Sequence, residues 1–261
     1  MSQPLQPRTP EDELPGLPPL GQAERGGFEP TQWSMVLAAV HGSGERPCEA
    51  LEHLCRAYWP PVYAHLRGKG HGHEESMDLT QEFFARMLQG ASLGGANPDK
   101  GRFRAFLLGA VNHFLINEWK KSKAQKRGGG LVFVDLDGLP PGVRDACEPR
   151  SGDDPEQAYD RQWAMTLLAR VRERIRREHE AVGQGDRYRR LKVYLTDDGH
   201  PRSYAETAAM LGISEAAVKS AVYKLRQRFG ELLRAEVART VGTMEEVEDE
   251  LRHLIAALRG G

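Results

Sequence analysis

Apolar residues recur at three- and four-residue spacing over most of this chain, the period of one helix face turned toward a core. The first 27 residues are the exception. They read PEDELPGLPPLGQAERGG over their centre, rich in Pro, Gly and acids, and are expected to form a disordered N-terminal arm. Order is expected from Phe28, with Thr31 capping a helix that carries Trp33, Val36 and Leu37. Residues 47–67 place Leu51, Leu54, Cys55 and Tyr58 on one side of a second helix, which Pro60 and Pro61 are expected to kink or divide. A His/Gly loop follows at 68–75. Ser76 or Asp78 then caps DLTQEFFARML, in which Leu79, Phe83, Met87 and Leu88 look inward. That leaves Asp78, Gln81, Glu82 and Arg86 as an outward, partly acidic face, suited to solvent or to docking.

A longer helical pattern opens at Gly101, RFRAFLLGAVNHFLINEWKKSKAQKR, with Phe103, Phe106, Leu107, Ala110, Phe114 and Leu115 toward a core. It ends in cations directly after Trp119. Residues 128–154 begin with three glycines, pass through a short apolar stretch, LVFVDL, and become rich in Pro, Gly and Asp, as a flexible linker does. Asp154 and Pro155 then start a helix to about Ala181, striped by Trp163, Leu167, Leu168, Val171 and Ile175. A short helix is expected from Tyr188 to Leu195. Val247, Leu251, Leu254, Ile255 and Leu258 mark a terminal amphipathic helix within 241–261, packed on the second domain or on a partner.

Between these lies SYAETAAMLGISEAAVKSAVYKLRQRF, residues 203–229, whose local signals agree with one another. Ser203 and Glu206 form a capping box, and Gly212 suits the left-handed residue that ends a first helix. Ile213 is a buried turn residue and Ser214 caps a second helix. On that helix Val218, Ala221, Val222 and Leu225 make one apolar stripe. The opposite face holds Ala216, Ser220, Tyr223 and Gln227, flanked by Lys219 and Lys224. An ordinary helical hairpin with a solvated basic face would share the stripe. The outer chemistry is nonetheless that of a major-groove reader, small and hydrogen-bonding groups with cations beside them for phosphates. The expected architecture is all-α, two helical domains joined by a flexible linker, the second containing a helix-turn-helix.

Formal charge is near zero, 36 basic against 37 acidic residues in 261, which taken alone argues against a nucleic-acid binder. Its distribution changes the picture. Residues 99–127 hold eight Lys/Arg against Asp99 and Glu118, a local excess of six. With Trp119, Asn112 and Asn117 on the same helix, the segment suits an unstacked nucleic-acid strand held by stacking and phosphate contacts. The alternative is a basic run that merely complements the helix dipole. The three cysteines, Cys48, Cys55 and Cys147, form no disulfide framework, and no apolar run suggests a signal peptide or membrane span, so a cytoplasmic protein without membrane insertion is expected. Cys48, His53, Cys55, His71 and His73 match no zinc spacing, so no metal or other cofactor is expected. KRGGG lacks the frame of a phosphate loop and DLDG lacks the remaining calcium ligands. No catalytic constellation stands out, and the chain is not expected to be an enzyme.

DLTQEFFARML, GRFRAFLLGAVNHFLINEWKK and the 203–229 segment stand in an order and spacing that resemble a bacterial RNA polymerase sigma factor of the extracytoplasmic-function (ECF) class. The resemblance covers about residues 45–240. It implies a region 2-like domain over 28–127 and a region 4-like domain over 155–240, with core RNA polymerase and promoter DNA as partners and an anti-sigma protein as a further candidate. Asp78, Leu79, Gln81, Glu82 and Phe83 would dock on the coiled coil of the largest polymerase subunit. Arg102, Arg104, Asn112, His113, Asn117, Trp119, Lys120, Lys121, Lys123, Lys126 and Arg127 would open and hold the −10 element. Ser214, Ala216, Lys219, Ser220, Tyr223, Lys224, Gln227 and Arg228 would read the −35 element, with the linker threading toward the active-site cleft. The chain departs from the class at Phe106, His113 and Asn117, where Trp, Asn and Asp are common. The alternative is a one-component helix-turn-helix regulator that senses through its N-terminal half and never binds core polymerase.

Overall fold

The computed structural model describes residues 47–89, 101–124, 149, 154–195 and 203–259. Within them the regular structure is helical and there are no strands: α1 (Pro47–Gly68), α2 (His73–Leu88), α3 (Phe103–Ala124), α4 (Pro155–Ala181), α5 (Gly185–Leu191) with a 3-10 turn at Lys192–Tyr194, α6 (Tyr204–Leu211), α7 (Glu215–Ala238) and α8 (Glu245–Arg259). The all-α expectation holds. The N-terminal arm, the helix expected after Thr31 and nearly all of the 128–154 linker lie outside the described residues.

Two compact units emerge. One comprises Glu29–Ala169 with Arg234–Gly261, the other Arg170–Leu233. The divisions at 169/170 and 233/234 fall inside α4 and α7.

In the first unit the core is aromatic. Tyr58 of α1 stacks on Trp163 of α4 with ring centroids 4.3 Å apart, and Phe103 of α3 packs against both at 5.4 and 6.1 Å. Phe83 of α2 meets Phe114 of α3 at 5.7 Å. Such pairs add about 0.5–1.5 kcal/mol each to the area they bury. Pro60 and Pro61 do not divide α1, which runs through both as one element. Tyr58, Trp59, Val62 and Tyr63 are buried around them, so packing holds a helix whose local hydrogen-bonding the prolines weaken. Helix α2 begins at His73 rather than at Ser76 or Asp78, because its N-cap is Gly72 and the Gly72 carbonyl accepts from the Ser76 amide at 2.9 Å.

The end of α1 runs close to the start of α4. A Cβ on Gly68 would lie 2.9 Å from the Pro155 Cα, and His65 Nδ1 donates to the Pro155 carbonyl at 3.1 Å. Because the obstructing atom is backbone, Gly68→Ala must push the two helices apart. We expect a destabilisation of about 1–3 kcal/mol, the usual cost of overpacking, read as a lower melting temperature. An unchanged melting temperature would show that this contact has slack.

The terminal helix also belongs to this unit, not to the one holding α5 and α6. Val247, Leu251 and Leu254 are buried, while Ile255 and Leu258 remain at least partly open to solvent. Its Glu250 is fully buried and pairs with Arg104 and Arg102 of the α3 start, Nε to Oε1 at 2.9 Å and NH1 to Oε2 at 3.0 Å. Arg104 also pairs with Asp160 of α4, whose other oxygen meets His253 of α8 at 2.6 Å. Burial works against the Arg104 charge, but the Glu250 hydrogen bond and the nearby carboxylates outweigh it and raise its pKa.

The second unit is built around Val171 and Ile175 of α4, Tyr188 and Leu191 of α5, and Val218, Val222 and Leu225 of α7. Tyr194 ties it together: its hydroxyl bonds Thr207 at 2.8 Å, its ring stacks on Tyr204 at 5.0 Å, and its carbonyl accepts from Arg226 at 3.1 Å.

Candidate nucleic-acid interface

The apolar period of α3 buries Phe103, Leu107, Val111 and Phe114, and that choice fixes what faces out. His113, Ile116, Asn117 and Lys120 fall at i, i+3, i+4 and i+7, one outward strip, with Trp119 beside it. Trp119 is 59% exposed and Ile116 51%. Asn117 lies 3.4 Å from His113, side chain to ring nitrogen. The strip therefore combines an aromatic plane, an apolar side chain, amide and imidazole groups and a cation. Such a surface can stack an unpaired base and neutralise its phosphate. Ile116 escapes a reading of the sequence that assigns apolar residues to cores; its place midway between His113 and Lys120 is the signal that it faces out.

Other expected strand contacts lie elsewhere. Arg104 is buried and occupied by Glu250 and Asp160, and Arg102 is held by the same glutamate. Neither is presented to a nucleic acid here. Asn112 is half-buried with its amide oxygen 3.0 Å from His65 Nε2. Lys121 and Lys123 lie on α3 but their side chains are outside the described residues, as are Lys126 and Arg127 altogether.

On α2, Asp78 is exposed, Leu79, Gln81 and Glu82 are half-buried, and Phe83 is fully buried against Phe84 and Phe114. Phe83 thus supports this face from beneath and is not on it. Arg86, expected on the same outward face, bridges Glu82 of α2 and Glu118 of α3 and lies 5.0 Å over the Phe114 ring. It fixes the outward face of α2 relative to the outward strip of α3.

In the second unit the capping and turn expectations at residues 203–229 are met, but the expected burial of Ile213 is not complete. Ser203 and Glu206 make the reciprocal capping box, and Gly212 sits at φ 66° with its N–H on the Ala208 and Ala209 carbonyls. The Ser214 hydroxyl accepts from the Ala217 amide at 3.2 Å. The α7 face opposite the buried stripe exposes Ala216, Lys219, Ser220, Tyr223, Lys224 and Gln227, with Tyr223 65% exposed. Two of its cations already have partners. Lys219 bonds Glu215 at 2.7 Å and lies 5.8 Å over the Tyr204 ring, and Arg228 is held by Glu178 and Glu231. Outside the expected set, α5 and its 3-10 turn expose Arg189, Arg190 and Lys192.

Residues 54–125, which take in most of α1 with α2 and α3, match the family model of sigma-70 region 2. The match supports a sigma-70 family sigma factor. Comparison with curated proteins and with solved structures returns no match. Region 2 of sigma-70 factors binds core RNA polymerase and takes part in promoter melting, and the family consists of transcription factors without enzymatic activity. Both outward faces of the first unit, on α2 and on α3, lie inside the matched segment. The Glu250 clamp lies outside it, although its arginines lie within. No described helix is long and apolar enough to cross a membrane.

Proposed function

We propose that the chain is an ECF-type sigma factor acting in the cytoplasm. It docks on core polymerase through Asp78, Gln81 and Glu82, and it holds the unpaired −10 strand on the α3 strip of His113, Ile116, Asn117, Trp119 and Lys120, with the cations of 121–127 beyond it. Helix α7 reads the −35 duplex from the face that carries Ser220 and Tyr223. The observation that carries this reading is the region 2 match, covering two helices whose exposed faces have the required chemistry. A helix-turn-helix regulator acting alone would have no use for such a segment. Gel filtration with purified core polymerase is the test. We expect co-elution and promoter-directed initiation; a chain that neither co-elutes nor directs initiation would remove the sigma reading.

The α7 face makes a second, graded expectation. Lys224 is exposed beside the reading face, and Lys224→Ala should weaken −35 duplex binding across sequences and reduce the log–log salt slope by about 0.9, one phosphate contact. Lys219 must first leave Glu215, so Lys219→Ala should cost less. Ser220 and Tyr223 replacements should instead change base preference, by about 1–3 kcal/mol per lost contact. A duplex-binding assay over a panel of sequences separates these; equal effects of all four replacements on every sequence would rule out the assigned face.

A further inference from the structure

Helix α3 starts badly for a helix read on its own. Its first turn has no acidic residue, and no Ser, Thr, Asp or Asn stands at the position before it. It has arginines instead, Arg102 immediately before Phe103 and Arg104 just after, where the positive end of the helix dipole disfavours cations. What is missing arrives from the far end of the chain. The Phe103 amide, a donor with no partner inside its own helix, donates to the Thr240 carbonyl at 2.8 Å. The Glu250 carboxylate supplies the absent negative charge, Oε1 to Arg104 and Oε2 shared between Arg102 and Arg104.

We propose that the C-terminal segment caps helix α3 from a distance, with Glu250 as a positioning residue that orients the α3 strip toward the −10 strand. The proposal rests on the reading of α3 as the strand-holding helix. An alternative use for the same contact would be a mask that α8 lifts off. Two observations oppose it. The α3 strip of His113, Ile116, Trp119 and Lys120 is exposed with α8 in place. Glu250 is fully buried, and Val247, Leu251 and Leu254 of the same helix are buried too, which fits a fixed brace rather than a flap. Removal of the Glu250 charge should therefore weaken strand binding, where a mask would strengthen it.

The test uses the full chain with Glu250→Gln and Glu250→Asp, a fluorescently labelled thymine strand of about twelve nucleotides, and amide hydrogen exchange. For E250Q we expect faster exchange in the first turn of α3 and several-fold weaker strand binding. Its salt slope should match the wild type, because the phosphate-contacting cations at the other end of α3 are untouched. E250D, which keeps the charge, should recover part of both losses. Loss of −35 duplex binding in equal measure would mark a general structural defect and overturn the positioning role. Wild-type exchange and wild-type strand affinity in E250Q would overturn the proposal outright, as would tighter strand binding. If the wild type itself fails to bind the strand, the reading of α3 falls while the exchange result still decides the cap. Should E250Q not fold, exchange in the wild type carries the test: the Phe103 amide should open together with the amides of α8. A Phe103 amide that stays protected while α8 exchanges would refute the cap.

Discussion

Truncation after Arg239 is expected to unfold the unit that contains α1 to α3 or to lower its melting temperature sharply. The cut removes the burial of Val247, Leu251 and Leu254, side chains that contribute about 1.5–3 kcal/mol each when fully covered. It also removes Glu250 and so leaves the buried Arg104 with Asp160 alone. Breaking a buried ion pair by deleting one partner typically costs about 3–5 kcal/mol, since the remaining charge stays desolvated. Together these losses rival the whole stability of an ordinary domain, about 5–15 kcal/mol. Circular dichroism melts of the full and truncated chains decide the matter. Equal melting temperatures would make α8 a passive tail and would remove the physical basis of the cap on α3.

How far the sequence reveals this molecule depends on the distance between a residue and its partner. The turn around Gly212 was legible because every determinant lies within a few residues: Ser203 and Glu206 cap each other, and a left-handed position asks for glycine. The stripes of α4, α7 and α8 were legible for the same reason, since a 3.6-residue period needs no knowledge of what it packs against. Arg104 marks the opposite case. In the sequence it is one more cation in a basic segment, and nothing nearby distinguishes it from Lys120. Its partner Glu250 is 146 residues away, so its burial follows only from the fold. The destination of α8 was hidden likewise: an apolar stripe says that a helix packs, not where. The start of α2 at His73 has no signal in the sequence, because Gly72 has no side chain to cap with and its carbonyl makes only the ordinary first helical bond, to the Ser76 amide. Phe83 sits in the family motif for docking, yet its place in the same apolar period as Met87 already pointed inward.

Asp78→Lys is expected to weaken binding to core polymerase by about a hundredfold or more while leaving the melting temperature unchanged. Asp78 is exposed on α2, so reversing it disturbs little inside the chain. Against a basic partner surface, a like charge in place of a complementary one costs several kcal/mol, and each 1.4 kcal/mol is about tenfold in affinity. Glu82 sits on the same face but cannot serve as the clean test. It pairs with Arg86, which also holds Glu118 across on α3, so Glu82→Lys would place a second cation against Arg86 and loosen the bridge between the two helices. That variant should lose both polymerase affinity and thermal stability. The contrast between the two reversals separates docking from folding. Titration of labelled protein with core polymerase, alongside thermal melts, gives both numbers for each variant. If D78K binds like the wild type, the outer face of α2 is not the docking face. The region 2 match would stand, and the contact with polymerase would have to be sought on another surface of the same unit.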